Sequence, residues 1–250
     1  MMHSILMIGQ SNMAGRGFRD EVTPIENENL YVLRNGRWQP MFFPVNPDRW
    51  KSGISLAESF ADLYQKEHNA DVGLIPCADG GTCLDQWQVG SLLFDHACYM
   101  AELASRTSTI SAVLWHQGES DSSEERYPYY EEKLSVILDA FRKKLCLYDV
   151  PFLLGGLGDF LHLGERREKF KYSGEINEAL KRIAEKKEMT GFVSAEGLKS
   201  NPDYLHFKAE SLREFGKRYY SEFVKLEDKN KVFLEKSTPD MAIRNELEKL

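Results

Sequence analysis

Ile5-Leu6-Met7-Ile8-Gly9-Gln10-Ser11-Asn12-Met13-Ala14-Gly15-Arg16-Gly17 is the stretch on which the fold turns. Four apolar residues in a row, closed by a glycine-punctuated turn, predict a short strand buried on both faces with a helix to follow. A strand of that kind belongs to a parallel sheet covered by helices. Ser11 then stands at the carboxyl end of the first strand, where such sheets hold their ligands. Two roles are open to it. It caps the following helix, as serine and asparagine commonly do, or it is a nucleophile presented at the sheet edge.

Outward from this stretch, strands and helices alternate. Further short apolar runs are Val72-Gly73-Leu74-Ile75, Ala112-Val113-Leu114-Trp115, Pro151-Phe152-Leu153-Leu154 and Gly191-Phe192-Val193-Ser194. Between them lie segments with apolar residues at helical spacing: 56–64, 92–103, 129–145, 176–184 and 209–226, the last carrying Leu212, Phe215, Tyr219 and Phe223 on one face. The order predicts an α/β fold, a three-layer α/β/α sandwich around a central five-stranded, mostly parallel sheet of flavodoxin-like type. Two segments interrupt the rhythm. Around 27–50, Leu30-Tyr31-Val32-Leu33-Arg34-Asn35-Gly36-Arg37-Trp38 reads as a hairpin turning at Asn-Gly, expected as an excursion at the carboxyl edge of the sheet. Beyond the domain at 1–226, residues 227–250 are rich in Lys and Glu. With the helix-start signal Thr238-Pro239-Asp240, they are expected to form a charged helical extension.

Bulk properties narrow the functional classes. The 250 residues are 42% hydrophobic and 28% charged, with a formal net charge of −7, the balance of a globular domain with one sizeable core. An acidic chain without a basic stripe is a poor partner for nucleic acid or an anionic membrane. No apolar run approaches the ~20 residues that span a bilayer, and Met1-Met2-His3-Ser4 lacks a signal peptide's basic and apolar regions. Cys77, Cys83, Cys98 and Cys146 form no CxxC pair. Cys77, in an apolar run, and Cys146, in a helical pattern, are expected to be buried thiols of a reducing compartment. Cytoplasm is the expectation, and a homo-oligomer is compatible with it. The six histidines make no metal-binding spacing, and Gly9–Gly15 lacks the Gly-Lys-Ser/Thr end of a phosphate loop.

Three more polar groups follow predicted elements. Asp79-Gly80-Gly81-Thr82 comes after the second apolar run and can turn a backbone N–H into a cleft, or be an ordinary turn. His116-Gln117-Gly118-Glu119 ends the third run, putting an amide donor and a carboxylate at the sheet edge. Asp203-Tyr204-Leu205-His206 precedes the last helix. There a carboxylate three residues before a histidine can bond one ring nitrogen and set its tautomer.

Together, Gly-Gln-Ser-Asn-Met at 9–13, Gly-Gly-Thr at 80–82 with Trp87, His-Gln-Gly-Glu at 116–119 and Asp-x-x-His at 203–206 resemble the SGNH-hydrolase superfamily, in its sialate O-acetylesterase/acetylxylan esterase branch (carbohydrate esterase family 6). The resemblance spans the chain to about Phe223. It implies a serine esterase that removes O-acetyl groups from a small carbohydrate, with Ser11 as nucleophile, His206 as base and Asp203 as its orienting acid. It further implies an oxyanion hole of the Ser11 N–H, the Gly81 N–H (Gly80 as alternative) and the Gln117 amide, which stands where the wider superfamily has asparagine. Asn12 and Glu119 are implied as supporting or substrate-binding residues, and neither metal nor cofactor is called for. Trp38, Trp50 and Trp87 are open between core packing and contact with a sugar ring. In the cytoplasm the substrate would be a short acetylated oligosaccharide or a sialic acid.

Overall fold

The first strand, β1, runs Met2–Gly9, and Ile5, Leu6, Met7 and Ile8 are all fully buried in it. The structure, a computed structural model, describes residues 2–237. After the four-residue helix α1 (Ser11–Ala14) come β2 (Leu30–Arg34), β3 (Arg37–Pro40), α2 (Leu56–His68), β4 (Val72–Pro76), α3 (Leu92–Ala104) and β5 (Ser108–His116). The chain continues through α4 (Tyr130–Leu145), β6 (Phe152–Gly155), α5 (Ser173–Lys186), β7 (Thr190–Val193) and α6 (Ala209–Ser237). The sheet order is β3-β2-β4-β1-β5-β6-β7, parallel throughout except for β3. Helices α2 and α6 pack together on one face, while α3, α4 and α5 adjoin one another on the other. The predicted three-layer sandwich is what forms.

The strand count differs from the expected five. The 27–50 hairpin is not an excursion at the carboxyl edge. It adds two strands to the sheet, β2 pairing with β4 in parallel through Leu30–Val32 and Val72–Leu74. Leu30, Val32 and Leu33 are buried and would lie bare on an excursion, which is the physical reason for the docking. Asn35 and Gly36 take φ of 53° and 76°, the mirror-image turn that matches strand twist.

The helices bury the faces their periodicity predicts. In α6, Leu212, Phe215, Tyr219 and Phe223 are 2% exposed or less, so each contributes the roughly 1.5–3 kcal/mol of a fully buried large apolar side chain. The Tyr219 hydroxyl donates to the Trp115 carbonyl at 2.8 Å, fixing α6 to the end of β5. Helix α6 continues past 226 to Ser237, while Thr238-Pro239-Asp240 lies outside the described residues. Cys77, Cys83 and Cys98 are buried free thiols, but Cys146 is exposed. It follows the last turn of α4 as a left-handed cap (φ 55°), so the helical periodicity that suggested burial no longer applies to it.

The strand order reverses at β1. Its neighbours β4 and β5 are reached by connections running in opposite directions across the sheet, which opens a crevice at the carboxyl ends of the three strands. Ser11, the 79–82 turn and the 116–119 segment all emerge there. Among the described residues, no helix is long and apolar enough to cross a membrane.

Candidate active site

The turn carrying Ser11 is dictated by crowding between β1 and β5. Gly9 takes φ 126°, and a Cβ there would collide with the His116 backbone. The Gln10 N–H donates to the His116 carbonyl at 2.8 Å, locking the turn to the neighbouring strand. Gln10, not Ser11, is the capping residue of α1, and no side chain caps this helix. The serine hydroxyl is therefore free of the capping role, and it lies 3.0 Å from His206 Nε2.

His206 reaches Ser11 from the loop before α6. Its Nδ1 is 2.6 Å from Asp203 Oδ2, while Asp203 Oδ1 accepts from the N–H groups of Leu205 and His206, both at 3.0 Å. Burial alone would raise the Asp203 carboxyl. The His206 ring and the two backbone donors outweigh it and hold this carboxyl at about 2. An ionised Asp203 makes Nδ1 the protonated nitrogen, which leaves the Nε2 lone pair facing the serine hydroxyl. Between the two residues, Tyr204 adopts φ 49°, a left-handed conformation that costs a non-glycine residue about 1 kcal/mol. Bonds from Tyr204 N–H to the Asn201 carbonyl and from Asn201 N–H to the His206 carbonyl, at 3.1 and 2.7 Å, hold the turn closed.

Asn12 straps this loop to the Ser11 turn. Its Oδ1 accepts from Phe207 N–H at 3.1 Å, and its Nδ2 donates to the Leu205 carbonyl at 3.2 Å and to Glu119 Oε1. Asn201 Nδ2 adds a 3.0 Å bond to the Arg16 carbonyl. Glu119 thus acts on His206 through Asn12, and it is itself 2% exposed at the cavity wall. Behind it, His116 is wholly buried. Burial lowers its pKa against the opposing pull of Glu119, and its Nε2 is bonded to the Gly156 carbonyl at 3.1 Å.

Ser11 and Gly81 both line the cavity, and their backbone N–H groups have no acceptor among the described residues. Gly80 is not an alternative, since its N–H is bonded to Asp48 Oδ2 at 2.9 Å. The expectation for Gln117 is corrected. Its Nε2 spends its two protons on Asp121 Oδ2 at 2.6 Å and the Thr82 carbonyl at 3.1 Å, and the side chain is wholly buried below the cavity. Asp121 also accepts from Leu84 N–H at 3.0 Å, so Gln117 and Asp121 brace the far end of the Gly81 turn. A side-chain amide that does line the cavity is that of Gln10. Its Oε1 accepts weakly from Gly118 and Ser120 N–H at 3.4 Å, and its Nε2 has no acceptor among the described residues.

A second brace comes from a segment that carried no signal in the sequence. Asn46 makes paired bonds with the backbone of Ala78, at 2.9 and 3.0 Å, and Asp48 holds Gly80 N–H. Asp48 also forms a two-pronged ion pair with Arg16, at 2.6 and 2.9 Å, and both side chains are 3% exposed. Burial would raise the Asp48 carboxyl, but Arg16, Ser52 and Gly80 N–H together lower it. Asp48 therefore ties Arg16, just beyond the Ser11 helix, to the backbone of Gly80 beside Gly81. Asp48→Ala is expected to lower kcat about 100-fold, the cost of an ångström-scale misplacement. Stranding the Arg16 charge should cost about 3–5 kcal/mol of stability. Steady-state kinetics beside a urea unfolding curve would check both.

The cavity has a volume of about 410 Å³ and is bounded by Ser11, His206, Gly81, Glu119, Phe170 and Trp50. Among the described residues, no group of three or more His, Cys, Asp or Glu could hold a metal ion.

Comparison with known proteins gives the geometry a context. Residues 1–225 match the family profile described as carbohydrate esterase, sialic acid-specific acetylesterase. The "Probable carbohydrate esterase" of Arabidopsis thaliana is 28% identical over 234 residues, covering 84% of this chain and 86% of that one. The X-ray structure of that Arabidopsis protein superposes with a TM-score of 0.79 at 27% identity, over 90% of this chain and 98% of the other. NanS, at 14% identity, has a TM-score of 0.72 over 91% of this chain and 98% of its own. A carbohydrate acetylesterase of Xanthomonas citri, at 16% identity, has one of 0.61 over 88% of this chain and 55% of its own. The last two show likeness of fold.

Proposed function

The chain belongs to the carbohydrate esterase family of sialic acid-specific acetylesterases, and we propose that it is a serine esterase removing O-acetyl groups from small carbohydrates. The observation that carries this reading is the continuous line from Asp203 through His206 to Ser11, with bonds of 2.6 and 3.0 Å, beside the open N–H of Gly81. Ser11 Oγ attacks the acetyl carbonyl as His206 Nε2 takes the hydroxyl proton. The new O–C bond leaves a negative oxygen, which the N–H groups of Ser11 and Gly81 receive, with the Gln10 amide as third donor. One such donor is worth roughly 3 kcal/mol of transition-state stabilisation. Collapse breaks the bond to the sugar oxygen, and His206 returns its proton to that oxygen. Water then repeats the sequence on the acetyl-enzyme, releasing acetate. Asp203, ionised at any pH well above 2, supports the imidazolium in both halves.

Acetate release from acetylated xylo-oligosaccharides, O-acetylated sialic acids and simple sugar acetates tests the substrate class. We expect turnover on at least one of these sugars. An aryl ester series should lose activity beyond two to three acyl carbons, at about 1–3 kcal/mol per extra methylene in a small pocket. Rates that climb with chain length, with no acetate from any sugar, would assign the triad to a different ester.

A further inference from the structure

Trp50 is 96% exposed, while Trp87 and Trp115 are wholly buried and packed edge to face, their ring centroids 5.6 Å apart. Trp38 is the fourth tryptophan. Its ring packs over Gly73 of β4, and its Nε1 donates to Thr107 Oγ1 at 3.0 Å. Trp50 alone forgoes burial of its ring, the largest apolar face a side chain offers. It does so at the wall of the catalytic cavity, beside Arg49 and Lys51.

The turn that presents it is fastened at both ends. Ser52 N–H donates to the Arg49 carbonyl at 3.0 Å, and Arg49 N–H donates to Ser52 Oγ at 3.1 Å. The Ser52 hydroxyl lies 2.7 Å from Asp48 Oδ1. The Arg49 guanidinium reaches the Gly80 carbonyl at 3.1 Å and pairs with Asp79 at 2.6 Å. The residues around Trp50 are thus tied to the loop that supplies the Gly81 N–H. A bare indole on a fixed turn adds nothing to the fold, but it places a flat apolar face on the wall of the cavity that Ser11 also lines. Ligand sites of this type combine such a face with a few directed polar groups.

We infer that Trp50 is the platform on which the substrate's sugar ring stacks, through its apolar C–H face, so that the acetylated hydroxyl at the ring edge projects to Ser11. This rests on the reading of the site as a carbohydrate acetylesterase. It makes Trp50 a specificity-determining residue rather than a catalytic one. Anchoring the platform and the oxyanion loop through the same residues, Asp48 and Arg49, also fixes ring position relative to the developing charge.

The test compares wild type, Trp50→Ala and Trp50→Phe on two substrates: the best acetylated sugar of the panel, and ethyl acetate, which has no ring. Trp50→Ala should lose about tenfold in kcat/KM on the sugar acetate, mostly in KM, with ethyl acetate hydrolysis unchanged. Trp50→Phe should recover most of the loss. Equal sugar-acetate kinetics for wild type and Trp50→Ala would overturn the platform alone. So would equal losses on both substrates, because that pattern belongs to a loop that shapes the oxyanion site. A wild type that turns over ethyl acetate but no sugar acetate would overturn the platform and the reading beneath it. A Trp50→Ala variant that differs from wild type only in self-association would assign the ring to a protein contact.

Discussion

Ser11→Ala is expected to lower kcat for acetate-ester hydrolysis about 10⁴-fold or more, and His206→Ala by a similar factor. The serine hydroxyl has one protein partner, His206 Nε2, and no capping bond to lose. Its removal therefore takes away the attacking oxygen without loosening the turn, and the melting temperature should stay within a degree or two of wild type. The two residues act as one unit, since the base without its serine, or the serine without its base, leaves only water beside the oxyanion donors. The double variant should accordingly be no slower than the poorer single variant. Multiplying losses would mean that the two residues serve separate steps. Initial rates on an aryl acetate, beside thermal unfolding of each variant, decide this.

Asp203→Asn should cost about 10³–10⁴-fold in kcat with little change in KM. The size follows from which atom must face which donor. Asp203 Oδ1 receives two backbone N–H groups, from Leu205 and His206, so an asparagine keeps its only oxygen there and turns its NH₂ to His206 Nδ1. Nδ1 must then accept, the ring proton moves to Nε2, and the lone pair that should take the Ser11 proton is gone. The backbone bonds survive, so the turn does too. Asp203→Ala removes those bonds as well and should lose stability in addition to activity, by about 1–3 kcal/mol. If Asp203→Asn retained more than a tenth of wild-type kcat, the half-exposed carboxylate would be a solvated loop acid and not the orienting group.

Much of this was legible in the sequence because it is local. Ile5 to Ile8 must be buried on both faces, and a run of that kind declares a parallel sheet before any partner strand is known. Asp203 and His206 are three residues apart, so one turn brings them together. The hairpin at 30–40 was readable as a hairpin, but not as part of the sheet. Its docking depends on β4, forty residues on, whose apolar run could have met either neighbour. Gln117 failed for a related reason. An amide at a strand end can face the cavity or the interior, and Asp121 together with the Thr82 carbonyl draws it inward. The Asp48–Arg16 pair joins residues 32 positions apart in a buried, two-pronged contact that no spacing announces. Among the tryptophans composition says nothing. Only burial separates Trp87, packed in the core, from Trp50 at the cavity mouth.

The mechanism requires a covalent acetyl-enzyme on Ser11, and rapid acid quench followed by peptide mass mapping detects it. During turnover of an activated aryl acetate, the peptide containing Ser11 should carry one acetyl group. The modification should appear before steady state and be absent from Ser11→Ala. Full turnover with Ser11 unmodified, or an acetyl group trapped on another residue whose replacement abolishes activity, would contradict it.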